Sequence, residues 1–405
     1  MPQVTAPQPS VGIVADFLFQ GGAETVIDLV AETYPKAQIY AQVHDASAMR
    51  HYPHIETAKA QGRLTLGFAD WLLATRPFRW AARRGVGLYH YYWLYFLTAV
   101  FEKTAAHDAV IVSCAAQSKL VRLPASAAVV VYFHTPTRWL YKGLTTEADL
   151  AAIPAPLRLI MRGIAPILRA LDRLGMRRLR GHDPLWLCNS SYIRDKLTEI
   201  YGIEATVLYP PVDTLRFTPS KRAPEDFFLY HGRITLQKRV DLAIDACLLA
   251  RKRLVISGQA VSQEIRQHLT DRVLRAEAAD PSLRGLVTFL GRTDDATLDR
   301  LMATCTALVF PPREDFGITP IEAMAAGCPV IAYRAGGALD YLSPGVNGAF
   351  FAEQTPQSLS VAIAGFDVTR YDPAAVAASV SHLSRDAFQS KLTTLVARQL
   401  AKGQP

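Results

Sequence analysis

Short runs of β-branched and other apolar residues alternate along almost the whole chain with longer segments in which apolar residues recur at helical spacing. The apolar runs predict strands at 11–15, 38–43, 109–113, 128–133, 185–188, 205–209, 227–231, 254–257, 287–290, 307–310 and 330–332. Helical spacing predicts helices that include 240–250, 262–278, 296–304 and 319–326. Strands that alternate with helices in this way form parallel sheets covered by helices on both faces. The pattern therefore predicts the α/β class.

The predicted strands fall into two groups, and a chain of 405 residues is too long for one ordinary core. The groups are separated by the sequence Tyr-Pro-Pro-Val-Asp at 209–213, where consecutive prolines prevent either a helix or a central strand. We expect two doubly wound Rossmann-like domains, at 1–212 and 213–380. Residues 1–10 are expected to form a loose tail. Residues 381–405 are expected to form a helix that packs on the second domain or crosses back to the first.

Composition excludes some classes of protein and favours a partner with negative charge. Half of the residues are hydrophobic and 20% are charged, which excludes global disorder. The excess of 44 Lys and Arg over 36 Asp and Glu gives a net charge of +8, which favours an anionic ligand, a phosphate-bearing substrate or an acidic membrane surface. The five cysteines include no Cys-x-x-Cys pair, so a disulfide framework and a structural zinc site are not expected, and a reducing compartment fits.

The sequence predicts a cytoplasmic protein, because its N-terminus lacks the basic start and apolar run of a secretory signal. One uncharged run, 85–101, is a candidate membrane span, although it is slightly short and contains His90. We favour a buried or interfacial helix over a span there.

Two candidate site segments follow predicted strands of the first domain. Gly21 and Gly22 lie between a strand and a helix, where backbone N–H groups can receive a phosphate or allow a ligand to approach closely. A simple tight turn is the alternative. His134 comes directly after the strand 128–133, at the edge of an open α/β sheet where ligands bind. A structural histidine is equally compatible with that position.

Two segments of the second domain carry more specific chemistry. Gly232, Arg233, Lys238 and Arg239 follow a strand and precede a helix, which predicts a clamp for a diphosphate rather than a solvated basic loop. The segment 310–327 places Glu314 in a loop and Glu322 on the first turns of a helix, with the amides of 316–318 between them. That spacing suits sugar hydroxyls on one carboxylate and ribose hydroxyls on the other. Acidic residues also favour helix N-termini for electrostatic reasons alone, and this is the alternative.

These motifs together resemble a known family. The Glu-x7-Glu spacing of Glu314 and Glu322, combined with the other motifs in one order, is similar to retaining glycosyltransferases of the GT-B fold, family 4, over nearly the whole chain. The nearest resemblance is to bacterial polysaccharide mannosyltransferases that use GDP-mannose. The stretches that carry it are 134–136, 189–190, 209–213, 238–244 and 336–339. The resemblance implies two Rossmann-like domains facing a central cleft.

The resemblance also implies roles for individual residues. Arg233 and Lys238 would grip the donor diphosphate, Glu314 would contact the donor sugar, and His134 would reach the sugar from the first domain. Binding of the nucleotide part would involve Gly22, Phe316, Gly317, Ile318, Thr319 and Glu322, the last holding the ribose. The family commonly has different residues where this chain has Thr137 and the sequence Trp-Leu-Tyr-Lys at 139–142. We expect those residues to face the acceptor.

Glycosyl transfer requires stabilisation of a departing diphosphate, which Arg and Lys supply in place of a metal ion. The sequence contains no Asp-x-Asp pair, so we expect no metal and no cofactor besides the sugar nucleotide. Front-face transfer, in which the leaving phosphate receives the acceptor proton, is favoured over a covalent glycosyl-enzyme intermediate. The expected acceptor is a lipid-linked glycan or a polysaccharide. A UDP-sugar is the alternative donor.

A basic helix is predicted at 157–180, where apolar residues recur at helical spacing and seven arginines occupy other positions. The arginines are Arg158, Arg162, Arg169, Arg173, Arg177, Arg178 and Arg180. Such a helix is typical of proteins attached peripherally to an anionic membrane, here on the cytoplasmic face of that membrane. A surface helix whose arginines are simply solvated is the alternative. A nucleic-acid-binding protein would present basic and aromatic surfaces unrelated to strand ends, so we expect no nucleic-acid partner. A membrane scaffold without catalysis would have no use for Glu314 and Glu322.

Overall fold

The computed structural model describes residues 9–19, 21–45, 49–76, 92–141, 143–144, 155–217, 219 and 225–402. The chain divides into two compact units. The first contains the described residues up to Pro211 together with those from Phe388 onward, and the second contains Val212–Ala387. Each unit has one fully parallel sheet. The predicted α/β class with two doubly wound domains is confirmed.

The first unit has a sheet of seven strands in the order β3-β2-β1-β4-β5-β6-β7. Its strands are β1 (Val11–Leu18), β2 (Gln38–His44), β3 (Leu64–Leu66), β4 (Ala109–Cys114), β5 (Ala128–Phe133), β6 (Leu185–Cys188) and β7 (Thr206–Val207). Its helices are α1 (Gly22–Thr33), α2 (Pro53–Ala60), α3 (Phe68–Leu73), α4 (Tyr92–Ala99), α5 (Ala155–Arg180) and α6 (Ser191–Tyr201). The strand order reverses between β1 and β4, so ligands are expected at the carboxyl ends of those strands.

Helices are defined by ordinary local signals. Ser190 caps α6 by accepting a hydrogen bond from the amide of Ile193, and Gly202 ends this helix in the left-handed conformation that suits glycine. The strands β4 and β5 are buried along almost their whole length, because helices cover both faces of the sheet at its centre.

The second unit has a sheet of six strands in the order β10-β9-β8-β11-β12-β13. Its strands are β8 (Phe228–His231), β9 (Leu254–Ser257), β10 (Val287–Gly291), β11 (Ala307–Phe310), β12 (Val330–Tyr333) and β13 (Gly348–Phe351). Its helices are α7 (Val240–Leu249), α8 (Gln263–Ala279), α9 (Asp295–Thr304), α10 (Ile318–Ala325), α11 (Ala338–Tyr341), α12 (Pro356–Ala364) and α13 (Pro373–Ser379). Here the order reverses between β8 and β11.

The last helix, α14 (Arg385–Lys402), contributes its apolar side to the core of the first unit. Phe388, Leu392 and Val396 are buried there, and the ring of Phe388 meets that of Tyr132 edge-on with the ring centroids 6.1 Å apart. Gln399 Nε2 donates to the carbonyl oxygen of Asp183 at 2.7 Å. Of the two placements that the sequence left open for this helix, the structure shows packing on the first unit.

A fully buried ion pair joins α5 to the loop that follows β4. Lys119 Nζ lies 2.6 Å from Asp172 Oδ1, and neither side chain is exposed to solvent. Hydroxyls of Thr137, Tyr141 and Tyr201 donate to the same carboxylate at 2.7–2.9 Å. Burial disfavours the charged Lys119 ammonium, but Asp172, Cys114 and Asp16 together outweigh burial and raise the pKa of Lys119. A buried charge pair is stable only when its remaining polar atoms are also satisfied, as they are here.

No helix in the described part of the chain is both long enough and apolar enough to span a membrane. Residues 85–91 of the candidate span lie outside the described residues. Residues 92–99 of the candidate span form α4, in which Phe96 and Ala99 are buried, and Phe101 beyond the helix is exposed. Phe96 packs edge-on against Trp139 with the ring centroids 5.8 Å apart.

We predict that Asp172→Asn destabilises the first unit by about 3 kcal/mol, because it removes the carboxylate charge that is paired directly with the buried Lys119 ammonium. The double variant Lys119→Met/Asp172→Asn should lose less stability than Asp172→Asn. It removes the lysine charge as well, and the Asn side chain keeps an acceptor oxygen for the tyrosine hydroxyls. Urea unfolding followed by tryptophan fluorescence measures this unit selectively, since all five tryptophans lie before residue 212. Equal stability of Asp172→Asn and the native protein would contradict the prediction.

Candidate functional site

The carboxyl ends of β8 and β11 bring two predicted motifs together in the second unit. These strands are neighbours, and the loop containing Arg233 and Lys238 follows β8 while the loop containing Glu314 follows β11. Lys238 Nζ and Glu314 Oε1 form a salt bridge, with side chains that are 29% and 22% exposed. The sequence predicted both residues as site residues but did not predict that they contact one another.

Arg233 lies in the same loop with an exposed side chain. Within the described ranges Arg233 forms no ion pair. Its guanidinium could therefore bind an anion at the carboxyl edge of the second sheet without first breaking a contact with a carboxylate. Arg239 differs from it, because Arg239 Nε lies 3.3 Å from Asp241 Oδ1. Among the three cations of this loop, Lys238 and Arg239 are thus each paired with a carboxylate, whereas Arg233 is not.

Two glycines allow the turn after β12 to pack against the Glu314 loop. The amide of Gly337 donates to the carbonyl oxygen of Glu314 at 2.9 Å. A Cβ atom on Gly337 would lie 2.4 Å from Phe316 Cα, and one on Gly336 would lie 2.3 Å from the Glu314 oxygen. Gly336 also has φ +69°, which favours glycine. These glycines thus fix the backbone that carries Glu314.

The predicted binding residues Phe316, Gly317, Ile318 and Thr319 form the entry to α10. Gly317 has φ +92° and precedes the first residue of the helix, whose initial amides have no partner within the helix. Phe316 is 4% exposed, so its contribution to a ligand site would be its backbone rather than its ring. The amides of this turn point the positive end of a helix at the same sheet edge as Lys238.

Tyr341 was not predicted as a site residue. Its ring meets the Phe316 ring edge-on with the centroids 5.5 Å apart, and its hydroxyl lies 2.9 Å from the position that a Cβ atom on Gly317 would occupy. This buried hydroxyl has no hydrogen-bond partner among the described residues. Burial and the nearby Glu314 charge raise the pKa of Tyr341. Nothing in the sequence distinguished this tyrosine from an ordinary core residue.

Glu322 has an unusual protonation equilibrium. Burial raises its pKa to about 7, against the opposing attraction of Arg216, and the charges of Asp213, Asp295 and Asp299 raise it further. Arg216 NH2 lies 2.8 Å from Asp299 Oδ1 and 3.4 Å from Asp295 Oδ1, so its charge is shared with other carboxylates. At neutral pH Glu322 is therefore divided between the acid and the carboxylate, as is common for functional groups.

A chain of hydrogen bonds links His231 to two hydroxyl groups at the carboxyl edge of the second sheet. His231 Nδ1 lies 3.0 Å from Ser257 Oγ, which in turn lies 2.8 Å from Thr293 Oγ1. Burial lowers the pKa of His231 to about 4, so the ring is neutral at physiological pH. These hydrogen bonds join the carboxyl ends of β8 and β9 to the loop after β10. The sequence indicated no role for these three residues.

In the first unit, His134 lies at the carboxyl end of β5 as the sequence predicted. Its Nε2 lies 2.8 Å from Ser113 Oγ, and its ring meets Tyr132 edge-on with the centroids 5.0 Å apart. Burial lowers the pKa of His134 to about 4, so it is a neutral hydrogen-bonding group rather than a cation. Asn189 Nδ2 fixes the backbone by donating to the His134 carbonyl oxygen at 2.8 Å.

Gly22 begins α1, close to the carboxyl end of β1. The preceding Gly21 is held by Tyr52, whose hydroxyl accepts from the Gly21 amide and donates to the Gly21 carbonyl oxygen, both at 2.9 Å. The structure thus places Gly22 and His134 in the first unit. Arg233, Lys238, Glu314, Glu322 and the 316–319 turn lie in the second.

The expectation that Thr137 and Tyr141 face an acceptor is wrong. Their hydroxyls bind the buried carboxylate of Asp172, and Thr137 is not exposed at all. Trp139 packs against Phe96. The departure from the family pattern at these positions therefore reflects the core of the first unit, where a buried charge pair needs hydroxyl donors. Lys142 lies outside the described residues.

The chain is similar to known proteins in sequence and in fold. Residues 212–366 match the family model described as "Glycosyl transferases group 1". This segment contains Arg233, Lys238, Glu314 and Glu322.

Curated relatives include glycogen synthase of Mycobacterium tuberculosis, 31% identical over 199 residues, which are 46% of this chain and 45% of that protein. Human alpha-1,3/1,6-mannosyltransferase ALG2 is 28% identical over 204 residues, which are 44% of this chain and 49% of that protein. The chain thus spans about half the length of these relatives.

Solved structures show the fold. The Anabaena protein HepE, determined in complex with UDP and glucose, is 18% identical with a TM-score of 0.63, covering 96% of this chain and 100% of that one. Sucrose-phosphate synthase from Thermosynechococcus elongatus is 16% identical with a TM-score of 0.63, covering 98% of this chain and 100% of that one. The fold class is therefore that of GT-B glycosyltransferases, with two Rossmann-like domains.

We predict that Glu322→Gln stabilises the second unit at pH 8 by on the order of 2 kcal/mol and leaves its stability almost unchanged at pH 5. A carboxyl whose pKa is raised from 4.5 to about 7 on folding loses stability as pH rises through that window, because the folded state keeps a proton that the unfolded state releases. Calorimetry between pH 5 and pH 8 measures the difference. The same difference at both pH values would contradict the raised pKa.

Proposed function

We propose that this protein is a retaining glycosyltransferase that moves mannose from GDP-mannose to a lipid-linked or polysaccharide acceptor. The observation that carries the proposal is the Lys238–Glu314 ion pair at the point where the strand order of the second sheet reverses. It places a cation suited to a phosphate beside a carboxylate suited to sugar hydroxyls. The match of 212–366 to glycosyl transferases group 1 supports this assignment.

The donor diphosphate would bind Arg233 and Lys238. Arg233 provides a planar fork of N–H donors, and Lys238 provides a compact charge that is already held at the sheet edge. The first amides of α10 and the backbone of Phe316 and Gly317 would complete the contacts to phosphate and sugar, because helix N-termini attract anions.

The nucleoside would be held by Glu322 through its ribose hydroxyls. A carboxylate accepts hydrogen bonds from two adjacent hydroxyls, and such contacts favour the ionised form of a group whose pKa lies near 7 in the free protein. We assign Gly22 to the approach of the phosphate or the acceptor, and neutral His134 to a hydrogen bond with the donor sugar.

The reaction would proceed on one face of the sugar. The bond between the anomeric carbon and the diphosphate oxygen breaks, and a bond forms between that carbon and the acceptor oxygen. The proton of the acceptor hydroxyl passes to the departing phosphate oxygen. Arg233 and Lys238 stabilise the negative charge that grows on this oxygen, which is the largest electrostatic requirement of the transfer.

The mannose donor is the finer part of the proposal. Similarity to the mannosyltransferase ALG2 supports it, and a UDP-hexose is the alternative. Donor screening separates the two: the purified protein is incubated with GDP-mannose, UDP-glucose and ADP-glucose, and thermal stabilisation and slow hydrolysis are measured. We expect both effects with GDP-mannose. Stabilisation by UDP-glucose alone would identify UDP-glucose as the donor. The assignment as a glycosyltransferase would then be unchanged.

We predict that Glu314→Ala and Lys238→Ala each lower turnover at least about a hundredfold while the protein stays folded, because each removes a preorganised charge from the reacting centre. Lys252→Ala is a matched control, since Lys252 is a partly exposed lysine of the same unit that pairs with Asp226. Steady-state kinetics and circular dichroism are the measurements. Native turnover in either folded site variant would remove that residue from the mechanism.

We predict that the product keeps the anomeric configuration of the donor and that activity survives EDTA. Retention is expected from the pairing of Glu314 with Glu322 that the family resemblance implies, and metal independence from the absence of an Asp-x-Asp pair in the sequence. Proton NMR of the product reports the configuration. An inverted product would overturn retention, and loss of activity with EDTA that a divalent ion restores would overturn metal independence.

Membrane attachment would come from the outward side of α5. Arg162, Arg169, Arg173 and Arg177 are exposed there, and in the described part of the chain no acidic side chain pairs with them. Leu159 and Ile167 are 72% and 59% exposed on the same helix. Basic residues interspersed with exposed apolar ones suit an anionic lipid surface. We therefore propose peripheral attachment at the cytoplasmic face of a membrane.

We predict that the protein co-sediments with vesicles that contain phosphatidylglycerol and that this binding falls as salt rises from 0.1 M to 1 M. Each arginine near the surface contributes on the order of 1 kcal/mol, and salt screens that attraction. Replacing Arg169, Arg173 and Arg177 by Glu should lower binding further. Equal binding to phosphatidylglycerol and phosphatidylcholine vesicles, unaffected by these replacements, would show that α5 is not an electrostatic membrane anchor.

A further inference from the structure

A second basic site lies in the first unit, away from the predicted site residues. A cleft of about 230 Å³ is lined by Val121, Arg122, Leu123, Arg178, Leu179 and His182. Arg122 precedes β5, and His182 precedes β6. The cleft therefore lies toward the amino ends of these strands, whereas Gly22 and His134 lie at the carboxyl ends. None of the residues assigned to the proposed glycosyl transfer lines this cleft.

One arginine of the cleft is held through its side chain and the other through its backbone. Arg178 NH1 donates to the carbonyl oxygen of Leu120 at 2.9 Å, which orients the rest of the guanidinium. The backbone of Arg122 is paired on both sides, since its amide donates to Glu102 O at 2.9 Å and its oxygen accepts from Thr104 N at 3.1 Å. Because its guanidinium is already held, Arg178 loses little freedom when it binds an anion.

The acidic residues nearest in sequence do not neutralise these cations. The Glu102 carboxylate accepts from the side chain of Gln42 and from the amide of Phe68. Asp183, which follows His182, is not among the lining residues. Within the described ranges no salt bridge involves Arg122, Arg178 or His182. The cleft therefore carries uncompensated positive charge.

The other half of the lining is apolar. Val121 and Leu179 are buried, and Leu123 is partly buried beside them. A volume of about 230 Å³ exceeds what one phosphate needs, so the space fits a phosphate together with a small organic group. Two arginines that converge on a site bordered by aliphatic side chains suit a phosphomonoester better than a free inorganic ion.

From this arrangement we propose that the cleft between α5 and the start of β5 binds the phosphate of an organic phosphomonoester, with Arg122 and Arg178 as its ligands and His182 as a third contact. The phosphomonoester is a soluble metabolite or the headgroup of a lipid such as phosphatidic acid. This site is independent of glycosyl transfer, so the proposal stands or fails separately from the proposed function.

The test is titration of the full chain with glycerol 1-phosphate, followed by calorimetry, with glycerol as the uncharged comparison. Arg122→Gln and Arg178→Gln should each weaken binding at least about tenfold, because each removes charge-assisted hydrogen bonds. Arg266→Gln, an exposed arginine of the second unit, and Lys238→Ala, which alters the proposed diphosphate site, should leave it unchanged. Arg122 is exposed, so its replacement remains informative if Arg178→Gln fails to fold.

A parallel arm uses vesicles of phosphatidylcholine with and without phosphatidic acid. Binding of glycerol 1-phosphate that Arg122→Gln weakens identifies a soluble phosphomonoester. Binding only to vesicles with phosphatidic acid, weakened by Arg122→Gln and not by Arg266→Gln, identifies a lipid headgroup. Absence of binding in both arms, or binding that Lys238→Ala abolishes and Arg122→Gln does not change, would overturn the proposal.

Discussion

The ion pair between Lys238 and Glu314 joins the two loops on which the candidate site depends. One loop follows β8 and the other follows β11, so the contact is available only because these strands are neighbours in a sheet whose order reverses between them. Gly336 and Gly337 hold the Glu314 backbone through contacts that no larger residue permits. In the proposed reaction the donor diphosphate replaces Glu314 as the partner of Lys238, and the carboxylate then becomes available to the sugar.

Two carboxylates, Asp172 in the first unit and Glu322 in the second, differ in how their charge is compensated. In the first, Asp172 is surrounded by the Lys119 ammonium and three hydroxyls, so the charge is fully compensated and serves the core. In the second, Glu322 is half-buried and forms no salt bridge among the described residues, and burial raises its pKa to about 7 against the attraction of Arg216. Proteins retain an incompletely satisfied group of this kind at a cost in stability, which is typical of functional sites.

Much of the fold could be predicted because parallel strands that are buried on both faces read as continuous apolar runs. The strands β3 and β13 were missed. Thr65 interrupts the short first one, and Gly348 and Ala349 weaken the apolar signal of the second. The helix α14 was predicted, but its placement on the first unit depends on tertiary packing of Phe388 that no local pattern encodes.

The candidate site was predictable where it follows strand ends and not where it depends on distant contacts. Arg233, Lys238 and Glu314 stand directly after predicted strands, so topology alone brings them to one edge. Tyr341 and the Lys119–Asp172 pair carry no such signal, since a lysine and an aspartate far apart in sequence are ordinarily surface residues. Thr137 was misassigned for the same reason.

The most direct test of the central claim is a crystal structure of the protein with an intact nucleoside diphosphate sugar. The account predicts that phosphate oxygens lie within hydrogen-bonding distance of Lys238 and Arg233, that a sugar hydroxyl contacts Glu314, and that the Lys238–Glu314 ion pair is broken. A nucleotide sugar bound elsewhere, with that ion pair intact, would contradict it.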